Sequence, residues 1–323
     1  MSNPIAKHAD GSNCYTKNCS RGGGHTPINN GLNKEAFIAE IEAVDQAKQL
    51  NNGYDLTGEV RIVDSVPTYR IRATKDFPEF DIKKGDKGGW IESPLLPDGS
   101  PRIKDGAFVG GDALIAGNAS IAGNVLVAEE AYVGGNATIY GNAIVSGQAV
   151  IAGNAKIGGA TQVKGNAVIA GNAIAEGDAS IMGQATVGEE AIVKGGLIYQ
   201  ASRVRGYARI NGGYVIGSEV RGNAIVNGGM LRGGMVEGNA TIWGGYVDER
   251  AHVYGEATVS DGAQIGGTAQ VFGNAKVRQQ AKVTGTAQVF GDAIIAGSSW
   301  IHEGEYRNGL KSEAREHGHS EWE

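Results

Sequence analysis

Two cysteines and two histidines near the N-terminus are the residues of this chain that could bind a metal ion. Thiolate sulfur and imidazole nitrogen are ligands that zinc prefers, and a short polar segment without a core of its own would gain a fixed structure from such a site. The four residues lie within eighteen positions, as His8, Cys14, Cys19 and His25. Their spacing is not a standard zinc-finger pattern, so a disulfide between the cysteines, or two free thiols, stays an alternative.

A group of arginines could bind an anion such as a phosphate or a nucleotide, because guanidinium groups form paired hydrogen bonds with phosphate oxygens. The group comprises Arg203, Arg205 and Arg221. Acidic residues lie at matching positions of the neighbouring repeats, with Glu219 beside Arg203 and Glu237 beside Arg221. Cross-strand ion pairs are therefore the favoured interpretation, and an anion site is the alternative.

The chain that carries these residues repeats Val or Ile every sixth position. The run begins at Ile103, continues in steps of six to Val193 with a break only at Ala175, and reaches Ile301 in a modified form. Ala stands two residues before most of these positions and Gly two residues after, so the repeat reads V-x-G-N-A-x. A period of six fits neither a helix nor a simple hairpin, and predicts a solenoid of short strands with tight glycine corners.

Shortened repeats indicate how many strands make one turn. Between Val193 and Val247, six of the steps are five residues long instead of six. They fall in two series, and within each series the short step recurs at every third repeat. Shortened steps recur at every third repeat if they all fall at the same corner of successive coils. This requires that three repeats complete one turn. Because thirty-five repeats run from Ile103 to Ile301, the sequence predicts triangular coils with about eleven to twelve turns.

The hexads resemble those of left-handed β-helix proteins of the hexapeptide-repeat superfamily, over residues 103–302. Glycine stands two residues after the aliphatic position rather than directly after it, and this variant is similar to the V-x-G-N-A repeats of uncharacterised bacterial and phage proteins. The region that precedes the repeats in those proteins is also similar, in the segments YRIRATKDF at 69–77, IKKGD at 82–86 and GGWIE at 88–92. The resemblance implies a left-handed parallel β-helix and a mobile-element origin, and it supplies no reaction.

The same superfamily contains acyltransferases that use a histidine as general base, and carbonic anhydrases that use three histidines on one metal. The repeats of this chain hold two histidines, His252 and His302, eight repeats apart. Each flanks an inward-facing aliphatic residue, so each is expected to point outward, without an orienting partner. No repeat is lengthened into a loop that could form a substrate cleft. A catalytic centre is therefore not expected, and an acyltransferase-like enzyme is the enzymatic alternative.

One predicted face of the coils carries apolar residues where polar ones are usual on a solvated surface. Exposed apolar strips mark interfaces, and a closed cyclic assembly would cover this one, so a parallel homotrimer is predicted. The alternatives are an aromatic ladder that only stabilises the sheet and a carbohydrate-stacking surface. The predicted interface residues are Leu114, Tyr132, Val150, Val168, Tyr254, Phe272 and Phe290.

The predicted fold class is an all-β solenoid preceded by a small α+β N-terminal region. Residues 33–53 are predicted to form a helix, with Asn33 as N-cap and an apolar face from Phe37 to Val44. A β-rich region at 54–102, which we call the cap region, is expected to cover the first coil, whose open edge would otherwise pair with other chains. The five predicted parts are a Cys- and Gly-rich segment at 1–32, the helix at 33–53, the cap region at 54–102, the β-helix at 103–302 and a charged tail at 303–323.

Composition and charge disfavour several classes of protein. The 53 glycines among 323 residues fall at periodic positions, so they indicate turns rather than disorder. A net charge of −6 argues against a dedicated nucleic-acid binder. No apolar run approaches the ~18 residues of a membrane span, and the polar N-terminus has no signal-peptide core. We therefore expect synthesis in the cytoplasm, with association with a virion as an option and no membrane partner.

These patterns together predict a rigid, non-enzymatic β-solenoid that serves as a structural or binding component of a phage or another mobile element. Its expected partners are further copies of itself and, through residues 1–102, another virion or host protein. No cofactor is required, and a zinc ion in the N-terminal segment is the one option. The alternatives are the acyltransferase-like enzyme and a protein that sequesters a small molecule or nucleotide on its arginines.

Overall fold

The computed structural model describes residues 6–7, 13–14, 45 and 52–312. The chain divides into two compact units, Met1–Gly153 and Asn154–Glu323. The described residues are almost entirely β. Their helical part comprises one 3-10 turn, Pro78–Phe80, and Asp45, which lies within the predicted helix at 33–53. The rest of that predicted helix, and the charged tail beyond residue 312, lie outside the described residues.

The first unit contains the cap region, which is built on three strands. A hairpin of Tyr54–Val63 and Val66–Ala73 is followed by Lys87–Ile91, which pairs antiparallel with the second hairpin strand. The strand Lys87–Ile91 then pairs in parallel with the first coil, with Trp90 opposite Leu114. Residues of the cap region therefore supply hydrogen-bond partners to the edge of that coil, as when the Trp90 amide donates to the Ala113 carbonyl at 2.8 Å.

Short strands of two residues form the coils of the first unit, and they stack in three columns. The column that continues the cap region contains Leu114–Ile115, Tyr132–Val133 and Val150–Ile151. The second column contains Phe108–Val109, Leu126–Val127 and Ile144–Val145, and the third contains Ser120–Ile121 and Thr138–Ile139. Before them in the sequence, Ala6–Lys7 and Asn13–Cys14 form a separate antiparallel pair.

The repeat sequence explains each coil position. Val133 and Ile139 point inward with Ala137 between them, and all three are fully buried. Val and Ile suit the strand because their branched side chains pack well on a pleated surface, and Ala leaves room where the chain bends inward. The corner residue Gly135 has φ +68°, and a Cβ there would lie 2.7 Å from the carbonyl oxygen of Gly153. Glycine is required at this corner by both its left-handed backbone and the next coil.

The second unit has the same construction, and its three outer faces are named after one residue each. The His252 face contains Val168–Ile169, Thr186–Val187, Arg203–Val204, Glu219–Val220, Met235–Val236, His252–Val253, Gln270–Val271, Gln288–Val289 and Glu305–Tyr306. The Tyr214 face contains Gln162–Val163, Ser180–Ile181, Leu197–Tyr199, Tyr246–Asp248, Gln264–Ile265, Lys282–Val283 and Trp300–Ile301. The Ile192 face contains Lys156–Ile157, Ile174–Ala175, Ile192–Val193, Thr241–Trp243, Thr258–Ser260, Lys276–Val277, Ile294–Ile295 and Leu310–Lys311.

Two longer strands, Arg209–Ile216 and Ile225–Arg232, run from the Ile192 face through a corner onto the Tyr214 face. They fall where the sequence has five-residue steps. Each passes the corner through a Gly-Gly pair, Gly212–Gly213 in the first strand and Gly228–Gly229 in the second. Because the step is one residue shorter, there is no turn at this corner, and one strand continues from the Ile192 face to the Tyr214 face.

Strand registers confirm that three repeats make one turn. On the His252 face, Thr186 pairs with Arg203 and Glu219 pairs with Met235, seventeen and sixteen residues apart. By Gln270 and Gln288 the spacing is again eighteen residues, three full hexads. The predicted all-β parallel solenoid is confirmed, with about eleven turns. Its left-handed sense stays a prediction. Among the described residues, no helix is long and apolar enough to cross a membrane.

Candidate functional site

The His252 face of the second unit carries most of the charged and aromatic residues that the sequence singled out. Two outward columns run along it, one on each side of the buried aliphatic residues. Their central members form the ion-pair chain, which we define as Arg205, Glu219, Arg221, Glu237 and His252. Because its members come from successive coils, the register of the solenoid alone brings them together.

Alternating charges hold the ion-pair chain together. Arg205 donates from Nε to Oε1 of Glu219 at 2.9 Å, and Nη1 of Arg221 lies 3.7 Å from the same oxygen. Arg221 also donates from Nε to Oε2 of Glu237. On the other side of that carboxylate, Nε2 of His252 lies 2.8 Å from Oε1. The side chain of Glu237 is therefore held by a basic side chain on each of two neighbouring coils.

The hydrogen bond from Arg221 lowers the pKa of Glu237, and the contact with His252 acts in the same direction, whereas burial acts against both. The pKa of Arg221 is raised by the same hydrogen bond. The carboxylate is thus charged at neutral pH, and the pair stabilises the stacking of adjacent coils rather than providing a free acid.

Replacing Glu237 with glutamine tests this assignment through pH. Because the folded-state pKa of Glu237 lies below its unfolded value of about 4.3, the stabilisation is fully present above that pH and is lost as the pH falls through the folded-state pKa. We expect Glu237→Gln to lower the free energy of unfolding by about 1 kcal/mol or less at pH 7, since the pair is partly solvated. Urea denaturation at pH 7 and pH 3 measures it, and the difference should shrink at pH 3.

The exposed Glu256 provides the matched control, because no ion pair of it is found among residues 52–312. Glu256→Gln should change the unfolding midpoint little at either pH. An equal loss of stability for Glu237→Gln at both pH values would contradict a role for its charge.

The arginines predicted as an alternative anion site are partly occupied by these carboxylates. The ion pair predicted between Arg221 and Glu237 is present, whereas Glu219 binds Arg205 and Arg221 rather than Arg203. Arg203 is exposed and forms no ion pair within residues 52–312. Two of the three predicted anion ligands are thus neutralised within the chain, which favours the ion-pair interpretation.

The expectation that His252 has no orienting partner is wrong, because Glu237 lies 2.8 Å away. Glu237 and Arg221 occupy equal positions in adjacent coils, so the repeat pattern predicts only that pair. The contact with His252 is diagonal, since His252 pairs in register with Met235, two residues before Glu237. His252 is half-buried in a continuous sheet between Met235 and Gln270. His302, the other repeat histidine, is exposed and lies 3.2 Å from the hydroxyl of Thr284.

An aromatic ladder continues the His252 face. The rings of Tyr254 and Phe272 stack at 4.7 Å with planes 3° apart, and those of Phe272 and Phe290 stack at 4.9 Å with the same angle. The Tyr254 hydroxyl donates to Gln270, and burial raises its pKa. Since each ring covers the face of the next, a sugar cannot stack between them. This geometry favours sheet stabilisation or edge contact with another chain over carbohydrate binding.

The predicted interface residues outside the ladder are only partly accessible. In the first unit, Leu114 is 4% exposed and pairs with the buried Trp90 of the cap region. Tyr132 lies over Gly134, where an added Cβ would be 2.2 Å from its hydroxyl oxygen. Val150, and Val168 in the second unit, are half-buried on the outer side of their strands. The structure therefore leaves Val150 and Val168 as outward aliphatic residues and buries Leu114 under the cap region.

Trp90 is the centre of a polar cluster in the cap region that the sequence reasoning did not single out. The guanidinium carbons of Arg61 and Arg70 lie 4.4 and 5.2 Å from its ring centroid. Its indole nitrogen donates to Asp112 at 3.3 Å, and Arg70 lies 3.5 Å from the same carboxylate. Cation–π and ion-pair contacts thus join the cap region to the first coil of the same unit.

The asparagine of the V-x-G-N-A repeat also has a role that the sequence reasoning missed. Corner asparagines of adjacent coils bind each other, as when Asn118 donates to Asn136 at 3.0 Å and Asn223 to Asn239 at 3.0 Å. The recurrence of asparagine at one position of the hexad is the sequence pattern that indicates this role. These side-chain ladders link the corners in addition to the backbone.

The predicted zinc ligands His8, Cys19 and His25 lie outside the described residues. Of Cys14 the structure describes the backbone, in the strand Asn13–Cys14. Within the part of the chain that is described, no group of three or more His, Cys, Asp or Glu residues is placed to hold a metal ion. The zinc site at the N-terminus stays a prediction.

Comparison with known proteins supports the assignment of the repeats to a β-solenoid. Residues 131–147 and 287–303 match a family model described as the YdcK β-solenoid repeat. No curated protein matches the chain. The two matched segments lie one in each unit, and they indicate a β-solenoid repeat family without indicating a reaction or a ligand.

Proposed function

We propose that this chain is a non-enzymatic structural scaffold whose solenoid is a rigid element and whose outer faces bind other molecules, including further copies of the chain. The observation that carries the proposal is the unbroken series of aliphatic residues at the inward strand positions of the coils. In the second unit, Ile157, Val187, Val220, Val253 and Val289 are all fully buried at equivalent inward positions. An interior filled in this way leaves binding to the surface.

Rigidity follows from the way in which the coils are joined. Each coil donates backbone hydrogen bonds to the next, as from Ala170 to Val187 at 3.0 Å and from Tyr254 to Val271 at 2.9 Å. Ion pairs, stacked rings and asparagine ladders connect the same coils on the outside. A stack bound at the centre, the corners and the faces resists bending, which suits a structural component.

Self-association is the proposed use of the outward aliphatic and aromatic residues Tyr132, Val150, Val168 and the ladder from Tyr254 to Phe290. Identical surfaces meet in a cyclic homo-oligomer, and a parallel homotrimer would remove these residues from water. The resemblance of the repeats and of the cap region to uncharacterised bacterial and phage proteins supports a role in a phage or another mobile element. Residues 1–102 are the proposed attachment site for a different protein, either of the virion or of the host. Within them, His8, Cys14, Cys19 and His25 are the proposed ligands of a zinc ion.

Light scattering of the purified chain tests the trimer. We expect a mass three times that of one chain, and we expect Val168→Glu to reduce it to that of the monomer, because a charged side chain would have to be buried in the interface. Ile174→Glu is the matched control, since Ile174 is also half-buried and outward but lies on the Ile192 face. A monomeric wild-type chain, or equal dissociation by both variants, would refute the proposed interface.

A further inference from the structure

The coils with shortened steps expose a group of aromatic side chains. The residues Tyr199, Tyr207, Tyr214, Trp243 and Tyr246 are between 40% and 65% exposed, and all lie within residues 199–246 of the second unit. Aromatic rings are costly to leave in water, so several of them exposed in neighbouring coils indicate a contact surface. None of these five residues belongs to the interface or to the sites predicted from the sequence.

Register places several of these residues on one flat surface. Leu197, Tyr214, Met230 and Tyr246 are successive partners on adjacent strands of the Tyr214 face. Tyr199 and Ile216 are paired in the column two residues further along the same strands. We call these six residues the Tyr214 strip. It crosses four strands, so its length is about 15 Å.

The rings of the Tyr214 strip are not stacked on each other, in contrast to the ladder. Met230 separates Tyr214 from Tyr246, so the two tyrosines stand two strand spacings apart, about 10 Å. That distance exceeds the 4.5–7 Å or so over which aromatic rings interact. Tyr214 and Tyr246 are 50% and 40% exposed, so part of each ring is accessible to a ligand lying across the strands.

Beside the strip, the corner of the narrowed coils lacks side chains. The Gly-Gly pairs of the two long strands stack there, so a ligand can reach the backbone closely. On the far side of this corner, Asn211 donates to Asn227 at 2.7 Å, and the exposed Trp243 follows in the next coil. Exposed aromatic side chains, accessible backbone and side-chain amides thus lie next to each other.

We propose that the Tyr214 strip binds an extended, uncharged oligosaccharide or polysaccharide that runs across the strands. The apolar C–H face of a pyranose ring packs on an aromatic ring, and its hydroxyl groups bind amides and backbone atoms. A sugar of an extended chain advances by about one strand spacing, so alternate sugars would lie on Tyr214 and Tyr246.

The charges around the strip favour a neutral ligand. Arg232 lies 3.7 Å from Asp248, and in the sequence that follows Asp248 the charges of Glu249 and Arg250 also cancel. A single-stranded nucleic acid likewise stacks on aromatic rings, but it needs a positive groove for its phosphates. The balanced charge of this surface, on a chain of net charge −6, fits an uncharged glycan better.

The size of the strip disfavours a folded protein as its occupant. A surface about 15 Å long covers much less than the ~800 Å² that each partner contributes to a stable protein interface. The inference specifies one ligand of the proposed scaffold and rests on that proposal. Light scattering tests self-association on the His252 face, whereas calorimetry tests ligand binding on the Tyr214 face, so the two can fail separately.

Isothermal titration calorimetry of the full chain tests the proposal with three probes: β-1,4-linked hexamers of glucose and of N-acetylglucosamine, and a twenty-nucleotide oligo-dT. We expect at least one hexasaccharide to bind. The double variant Tyr214→Ala, Tyr246→Ala should weaken that binding by at least about 10-fold, because two stacking contacts are lost. The double variant Tyr214→Phe, Tyr246→Phe keeps both rings and should stay within about threefold of the wild type. Tyr207→Ala, at an exposed tyrosine outside the strip, should have no effect.

Failure of both hexasaccharides to bind the wild-type chain at millimolar concentration would overturn the proposal. So would binding that survives the double alanine change, or oligo-dT binding that depends on the two tyrosines, which would make this a nucleic-acid site. If the alanine variant melts early, Met230→Lys at the centre of the strip must cause the same loss of binding. Unchanged binding by Met230→Lys would then count against the strip.

Discussion

Replacement of Gly213 with alanine is expected to lower the free energy of unfolding by at least about 3 kcal/mol. Gly213 has φ +90°, a conformation that strains a residue with a side chain. A Cβ at this position would also lie 2.6 Å from the carbonyl oxygen of Gly229, which belongs to the backbone of the next coil. Neither coil can move away without breaking its register, so the strain and the clash add.

The neighbouring glycine provides the control. Gly212 belongs to the same corner, but its φ is not positive and a Cβ there would meet nothing within 4 Å. Gly212→Ala should stay within about 1 kcal/mol of the wild type, since alanine also restricts the unfolded chain. Urea denaturation followed by circular dichroism compares the two variants. Equal stability of the two would show that the corner does not need glycine for the stated reason.

A carboxylate placed inside the coil is expected to have the largest effect of any single change. Ile265 is fully buried between Val247 and Val283, its partners in the adjacent coils. An aspartate here would face an aliphatic interior without a cation, which costs several kcal/mol even after partial relaxation. We expect Ile265→Asp to lose at least about 4 kcal/mol and to unfold the coils around residue 265.

Gln264→Asp is the matched control, because it adds the same side chain one residue earlier on the exposed side of the strand. It should stay within about 0.5 kcal/mol of the wild type. Hydrogen exchange measured by mass spectrometry would locate the loss of protection in the Ile265 variant. Burial raises the pKa of an aspartate, so this variant should regain stability as the pH is lowered toward about 4. Normal protection in the Ile265 variant would contradict a closed apolar interior.

Most of the solenoid could be predicted because its geometry repeats. Each inward aliphatic residue marks a strand, and each corner glycine marks a turn, so one hexad describes them all. The three-strand turn also followed from the sequence, since the missing corner residues of the shortened steps recur at intervals of three repeats. The pairing of Thr186 with Arg203 and of Glu219 with Met235 confirms this interpretation.

The candidate site could be predicted only in part, because outward side chains reach diagonally. The pair of Arg221 and Glu237 could be predicted, because the two residues occupy equal positions in adjacent coils. Long side chains also reach residues at unequal positions, so Glu219 binds Arg205 and Arg221. Glu237 binds His252 in the same way. The exposed fraction of an outward side chain could not be predicted from the repeat. Tyr132 and Tyr214 occupy similar outward positions, yet Tyr132 folds over Gly134 whereas Tyr214 stays half exposed. Such differences depend on the residues of neighbouring coils rather than on the repeat.

Outside the shortened coils, the register of eighteen residues, as between His252 and Gln270, has a consequence for how such a chain changes over generations. A copying error that duplicates or deletes eighteen codons in frame would insert or remove one complete layer of the solenoid. Every remaining layer would still contact the same kind of surface on each side. Height can thus evolve in steps of about 5 Å without redesign of either end. In-frame duplications and deletions in the gene can therefore set the length of the solenoid.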